Sequence, residues 1–146
     1  MYRATTHGFG AAAFHERCDG RARLLVLVRA REGGWLFGGF TAVGFSAPPR
    51  WWGSYADPSA FLFLLTNSSG QPEMLESKGT VNDIEYDPSC SSTFGRDLSI
   101  CDNADTVAGS YTWTGNEYAA SASTGAHPMA RGRQYFNTAE VVAWVV

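Results

Sequence analysis

Charge is scarce in this chain. Only 17% of its 146 residues are Asp, Glu, Lys or Arg, and 11 basic residues against 14 acidic ones leave a net charge of −3. Disordered chains are charge-rich and apolar-poor; here 45% of residues are apolar, enough for a real core. Nucleic-acid binders carry a basic balance, and a pI near 5.5 with scattered arginines speaks against that class. No apolar run approaches the roughly 18 residues that a membrane-spanning helix needs, so no span is expected. No basic stretch followed by an apolar one stands at the N-terminus. Cysteine is also sparse: Cys18, Cys90 and Cys101 form no CxxC, and an odd number cannot all pair within the chain. One disulfide with one free thiol, or three thiols, are both compatible with that count. Together these absences predict an intracellular, cytoplasmic protein in a reducing compartment, or one whose organellar leader has been removed.

What is present is strand-like. The length predicts a single domain over 1–146. Residues 1–9 read as a short strand and a turn. GAAAFHERC at 10–18 is the best helix, with Phe14 and Cys18 on one face and Asp19-Gly20 as its stop. LLVLV at 24–28 and WLFGGFTAV at 35–43, joined through Glu32-Gly33-Gly34, read as a hairpin whose first strand is buried on both faces or nearly so. Gly38-Gly39 inside it signals a bulge or a close backbone approach. AFLFLLT at 60–66 is a third buried strand, and weaker strands are read at 81–86, 94–100 and 110–113. Residues 87–92 and 117–132 read as loops. The segment 136–146 is apolar on both faces, as in a central strand. The sum predicts a mostly β, α+β fold: a two-sheet antiparallel β-sandwich with short flanking helices. Trp35 and Trp144 are expected in the core. Trp51 and Trp52, after a Pro-Pro loop, are candidates for a partner surface.

Motifs that carry chemistry are missing. His7, His15 and His127 lack the HExxH spacing, and His15 reads as a surface or helix-flank residue. Cys90 sits in PSCSS, an ordinary loop, so a thiolate–imidazole pair built from Cys90, Cys101 and His127 has no local support. Asp102-Asn-Ala-Asp105 lacks the glycine and distal glutamate of a calcium loop and reads as a turn. Neither Gly8-Phe-Gly10 nor Phe37-Gly-Gly-Phe40 has the phosphate-loop spacing. No catalytic residue, metal site or cofactor is expected.

Six blocks in order carry a resemblance: YRATTHGF at 2–9, FHERCDG at 14–20, the Leu24 to Val28 run followed by FGGFT at 37–41, DPSAFLF at 57–63, TFGRDLSI at 93–100, and Tyr135-Phe136 with EVVAW at 140–144. Together they resemble the TLDc domain of the oxidation-resistance proteins over nearly the whole chain. The chain departs at His7, where the family often has aspartate, at Arg96, where glycine or histidine is usual, and at Ala143, the second acidic position of the closing block. The family's usual upstream helical segment has no counterpart here. The resemblance implies a β-sandwich with no established catalytic activity. It implies that Gly38, Gly39, Asp57, Phe61, Gly95, Asp97 and Glu140 are family-signature residues, mostly structural. It also implies a protein partner, either subunits of the vacuolar-type proton ATPase or another large complex, and a role in the oxidative stress response. The alternative is a structural accessory subunit of a large multi-subunit assembly.

Overall fold

In the computed structural model, residues 1–45, 53–122, 127–130 and 132–146 are described. Trp51 and Trp52 lie outside the described residues. In chain order the elements are β1 (Tyr2–Arg3), α1 (Ala4–His7), α2 (Ala11–Cys18), β2 (Leu24–Ala30), β3 (Leu36–Thr41), β4 (Gly53–Tyr55), β5 (Phe61–Leu64), β6 (Glu73–Glu76), β7 (Ile84–Tyr86), β8 (Cys90–Phe94), β9 (Leu98–Cys101), β10 (Ser110–Thr112), a 3-10 turn (Pro128–Ala130), β11 (Tyr135–Phe136) and β12 (Thr138–Val145). They build two six-stranded sheets. Sheet A has the order β1-β12-β2-β3-β5-β6 and sheet B the order β11-β10-β9-β8-β7-β4. Every pairing is antiparallel. The two-sheet sandwich with short helices is therefore the observed architecture.

The sheets face each other through Val26, Val28, Phe37, Leu62, Leu64 and Val141 from sheet A, and Ile84, Phe94, Leu98, Ile100 and Phe136 from sheet B, all buried. The ring of Phe94 stands edge-on to Phe45, and Phe37 edge-on to Phe136. Such perpendicular contacts suit the aromatic quadrupole. Helix α2 closes one end of this core with Phe14, which meets both Tyr2 and Phe45 edge-on.

Several local expectations change. Residues 4–7 form α1 rather than a turn, because Glu140 of β12 reaches its first turn: Thr5 donates its amide to Oε1 at 3.1 Å and its hydroxyl to Oε2 at 2.6 Å. A carboxylate there satisfies free amides and meets the helix dipole. The segment 94–100 is not one strand: it runs from the end of β8 through a hairpin turn at 95–97 into β9, and in the turn Gly95 has φ +52° and the Asp97 amide donates to Phe94 O. Strand β8 therefore takes up residues read as loop, Cys90 among them. Strands β4 and β6 were not expected. Both are short, and EMLE carries little β signal. Neither β2 nor β12 is fully buried on both faces: alternate residues of each are only half-buried or exposed, because among the described residues little covers the outer side of sheet A. Trp144 accordingly leaves the core for the outer face of sheet A, half-buried.

His15 is also no surface residue: its side chain is only 10% exposed. One ring nitrogen pairs with Asp19 at 2.7 Å and the other lies 2.9 Å from Cys90 O. Burial alone would lower its pKa, but the hydrogen bond and charge of Asp19, with the Cys90 and Asp87 carbonyls, hold it above the ordinary 6.5. A raised histidine pKa stabilises the fold fully below 6.5, and that contribution is lost as pH rises through the folded value. Wild-type urea midpoints are expected to fall across that window, and the fall is expected to vanish in His15→Gln. A parallel decline in both proteins would contradict this assignment.

Candidate functional site

The antiparallel registers of sheet A set its outer side chains in rows. One row runs Trp144, Leu25, Phe40, Phe61, Glu76, and the next runs Arg3, Val142, Leu27, Gly38, Phe63, Met74. Between Arg3 at one edge and Glu76 at the other, the two rows contain no charged side chain. Phe40 and Phe61 stack with centroids 5.2 Å apart. Leu25, Leu27, Phe61, Phe63, Leu65 and Trp144 line a shallow apolar depression of about 370 Å³. Met74 is 58% exposed and Leu65 47%. Arg23 holds its guanidinium 5.8 Å from the Phe40 ring at the border of the patch.

The face is apolar for a reason visible in the strands. LLVLV, FLFL and VVAWV are apolar at consecutive positions, so each strand sends half of its apolar side chains inward and half outward. A sheet with one solvated face normally alternates apolar with polar. A contiguous exposed apolar patch with a polar rim is the mark of a protein-interaction surface.

Sheet B contrasts with it. The register Tyr135, Tyr111, Ser99, Thr93, Glu85, Ser54 is a polar row. Beside it Ser54, Asn82, Glu85, Arg96, Tyr111, Trp113 and Asn116 line a cleft of about 550 Å³. Burial raises the Glu85 carboxyl above its usual range, although Arg96 pulls it down. The middle of that row is closed to solvent: Thr93 and Ser99 are buried, with Thr93 Oγ1 3.2 Å from Ser99 Oγ.

The remaining signature residues lie mostly inside. Asp57 is buried: Oδ2 accepts from Thr41 Oγ1 at 2.8 Å and from the amides of Ala42 and Val43, while Oδ1 accepts from the Ser59 amide and hydroxyl. Burial works to raise its pKa, but these donors outweigh it and hold the carboxyl below its usual range. Asp83, missed from the sequence, continues the network. Its Oδ2 takes the Asp57 amide at 2.9 Å, its Oδ1 takes Ser77 Oγ at 2.7 Å, and its carbonyl takes the Tyr118 hydroxyl at 2.5 Å. An aspartate just after the Ser77-Lys-Gly-Thr80 turn is the signal that could have found it.

Asp97 is fully buried and gathers the amides of Gly115, Asn116 and Glu117 at 2.7, 3.1 and 2.7 Å. Burial dominates there and raises its carboxyl. A Cβ on Gly95 would lie 2.4 Å from Glu117 Cγ. Gly39 points inward under Phe94, and Gly38 points outward beneath Phe63. Glu140 holds α1 and pairs with Arg3 at 3.6 Å. Of the signature set, Phe61 stands within the outer apolar face and Gly38 forms its floor.

The histidine and thiols read together in the sequence part company. His127 Nδ1 lies 2.7 Å from Thr112 O and its ring meets Trp113, whereas Cys90 and Cys101 face each other across β8 and β9. Asp102 Oδ1 accepts the Ala11 amide at the start of α2. Among the described residues no group of three His, Cys, Asp or Glu side chains could hold a metal ion, and no helix is long and apolar enough to cross a membrane.

A search of curated proteins finds no match to this chain. A family model, described as the TLDc domain, matches residues 1–146.

Proposed function

Because the chain belongs to the TLDc domain family, we propose that it is a non-catalytic protein-interaction domain that docks through the outer face of sheet A. The observation that supports this is the pair of adjacent rows Trp144, Leu25, Phe40, Phe61 and Val142, Leu27, Phe63, Met74. A subunit of the vacuolar-type proton ATPase is the first partner to test, and the oxidative stress response is the process in which to look for it. Interfaces place aromatic and Met side chains at the centre of a polar rim, and this face has that composition.

Leu65 and Met74 are exposed and lie at the border of the depression, so Leu65→Glu with Met74→Glu changes the docking face with little cost to folding. Affinity purification of the tagged chain from its own cells is expected to recover a stoichiometric partner. The double charge variant is expected to lose at least about tenfold of it, since buried unpaired charge costs several kcal/mol. Undiminished recovery with the variant, or no stable partner for the wild type, would overturn the proposal.

The breadth of the apolar face also supports the alternative, a structural subunit of a permanent assembly, because obligate interfaces are the more apolar ones. Size-exclusion of native extract separates the two. A free or exchanging pool fits a regulator, and exclusive migration with one complex fits an architectural subunit.

A further inference from the structure

Cys90 and Cys101 are directly opposed in the β8–β9 ladder. The Asp102 amide donates to Ser89 O at 2.8 Å, which makes 89 and 102 a hydrogen-bonded pair. Residues 90 and 101 are then the neighbouring pair without hydrogen bonds, the position at which facing side chains stand closest, with Cα atoms about 4.5 Å apart. That spacing is one a disulfide can span. The two Sγ atoms lie 2.7 Å apart, and Ser99 Oγ lies 3.6 Å from Cys101 Sγ. Cys101 is partly open to solvent while Cys90 is 7% exposed. Cys18, at the end of α2, is 1% exposed, and burial pushes its thiol up to about 12.

The two thiols are chemically unequal. The hydrogen bond from Cys90 lowers the Cys101 thiol to about 7, with Ser99 assisting against the effect of burial. The same hydrogen bond, together with burial, raises Cys90. The thiolate is the reactive form, and Cys101 is the more exposed of the two and the one a peroxide reaches, so Cys101 is the attacking sulfur. Asp87 and Asp102 are the acidic side chains near the pair and oppose its ionisation.

We propose that Cys90 and Cys101 are a modification site at which a hydroperoxide drives formation of a reversible cross-strand disulfide. The Cys101 thiolate attacks the peroxide, an S–O bond forms as the O–O bond breaks, and the leaving oxygen takes a proton as water or alcohol. Cys90 sulfur then attacks the Cys101 sulfenic acid; the S–S bond forms, the S–O bond breaks, and hydroxide leaves with the Cys90 proton as water. The peroxide gains two electrons and each sulfur gives one. A dithiol reverses the step.

The link lies beside α2, which touches β8 and the residue that follows β9. His15 reaches Cys90 O, and Asp102 takes the Ala11 amide. Oxidation therefore ties together two strands that share one helix as their clamp. This inference is independent of the docking face on the opposite sheet.

The test uses the reduced full chain, a small excess of hydrogen peroxide, alkylation and peptide mapping. The expected product is a Cys90–Cys101 linked peptide, a chain lighter by about 2 Da, Cys18 fully alkylated, and reversal by dithiothreitol. The oxidised chain is expected to melt about 5–10 °C higher, from the short loop closed. In Cys90→Ser, a sulfenic acid at Cys101 is expected to be trapped by dimedone, since its resolving thiol is gone. Three alkylated cysteines after peroxide, unlinked sulfinic acid at Cys101, or a link involving Cys18 would each overturn the proposal.

Discussion

Asp57→Ala is expected to lower the unfolding free energy by about 3–5 kcal/mol, a large part of the roughly 5–15 kcal/mol that holds a domain together. The Asp57 carboxylate ties the end of β3 to the turn before β5. Thr41, Ala42 and Val43 donate from one side, and Ser59 donates twice from the other. Alanine leaves these donors without an acceptor, the buried Thr41 hydroxyl among them, and each buried orphan costs about 1–3 kcal/mol before relaxation. Asp57→Asn is expected to recover only part of the loss, because its amide nitrogen would face a donor. Because the folded carboxyl titrates below its ordinary 3.8, its contribution is present above that value and is lost as pH falls through the folded pKa. Urea unfolding near neutral pH measures the loss, and a change below about 1 kcal/mol would rule out this account of the turn.

Gly38→Ala carries the second large effect, about 3 kcal/mol, the upper end of what overpacking a tight site costs. Gly38 lies opposite Leu27 on β2 and Phe63 on β5. A Cβ there would lie 1.9 Å from Val26 O and 2.8 Å from Phe63 Cζ. The ring could swing away, but the carbonyl belongs to the backbone of the neighbouring strand. Phe63→Ala in the same chain is therefore expected not to rescue the variant. Rescue by that second substitution would show that the ring, not the strand spacing, requires glycine. Because the clash parts β2 from β3, the outer face is expected to lose its row of side chains together with the stability.

Much of the sandwich is legible in the residues. The helix at 11–18 and the strands at 24–30, 36–41, 61–64 and 138–145 announce themselves through apolar runs and through Gly-rich or Asp-Gly punctuation. The short strands of sheet B are harder, because CSSTF and SYT are polar and only their partners make them strands. The FGRDLSI segment at 94–100 reads as one strand until Gly95 is seen in a left-handed conformation, a property the sequence signals only as a glycine.

The outer face of sheet A was present in the sequence but assigned to the core. LLVLV, FLFLL and VVAWV each look like strands buried on both sides, as in a parallel sheet between helix layers. A two-layer sandwich of short strands has no third layer to cover them. Three such runs in adjacent strands predict a surplus apolar face, and Leu25, Leu27, Phe63 and Trp144 lie on it. Glu140 and Asp97 carry signatures of a different kind: their oxygens already accept protein donors. Asp83 stayed hidden because its local signal is only the Ser77-Lys-Gly-Thr turn before it, while Asp57 and Tyr118, which also bond to it, lie far away in the sequence.

Hydrogen exchange of the free chain against the chain bound to its captured partner tests the central claim most directly. Sheet A as docking face predicts that slowing concentrates in β2, β5, β6 and β12 and the segment around Leu65, with the cleft at Glu85, Arg96 and Trp113 unchanged. Slowing confined to that cleft, with sheet A unaltered, would contradict it and move the interface to sheet B.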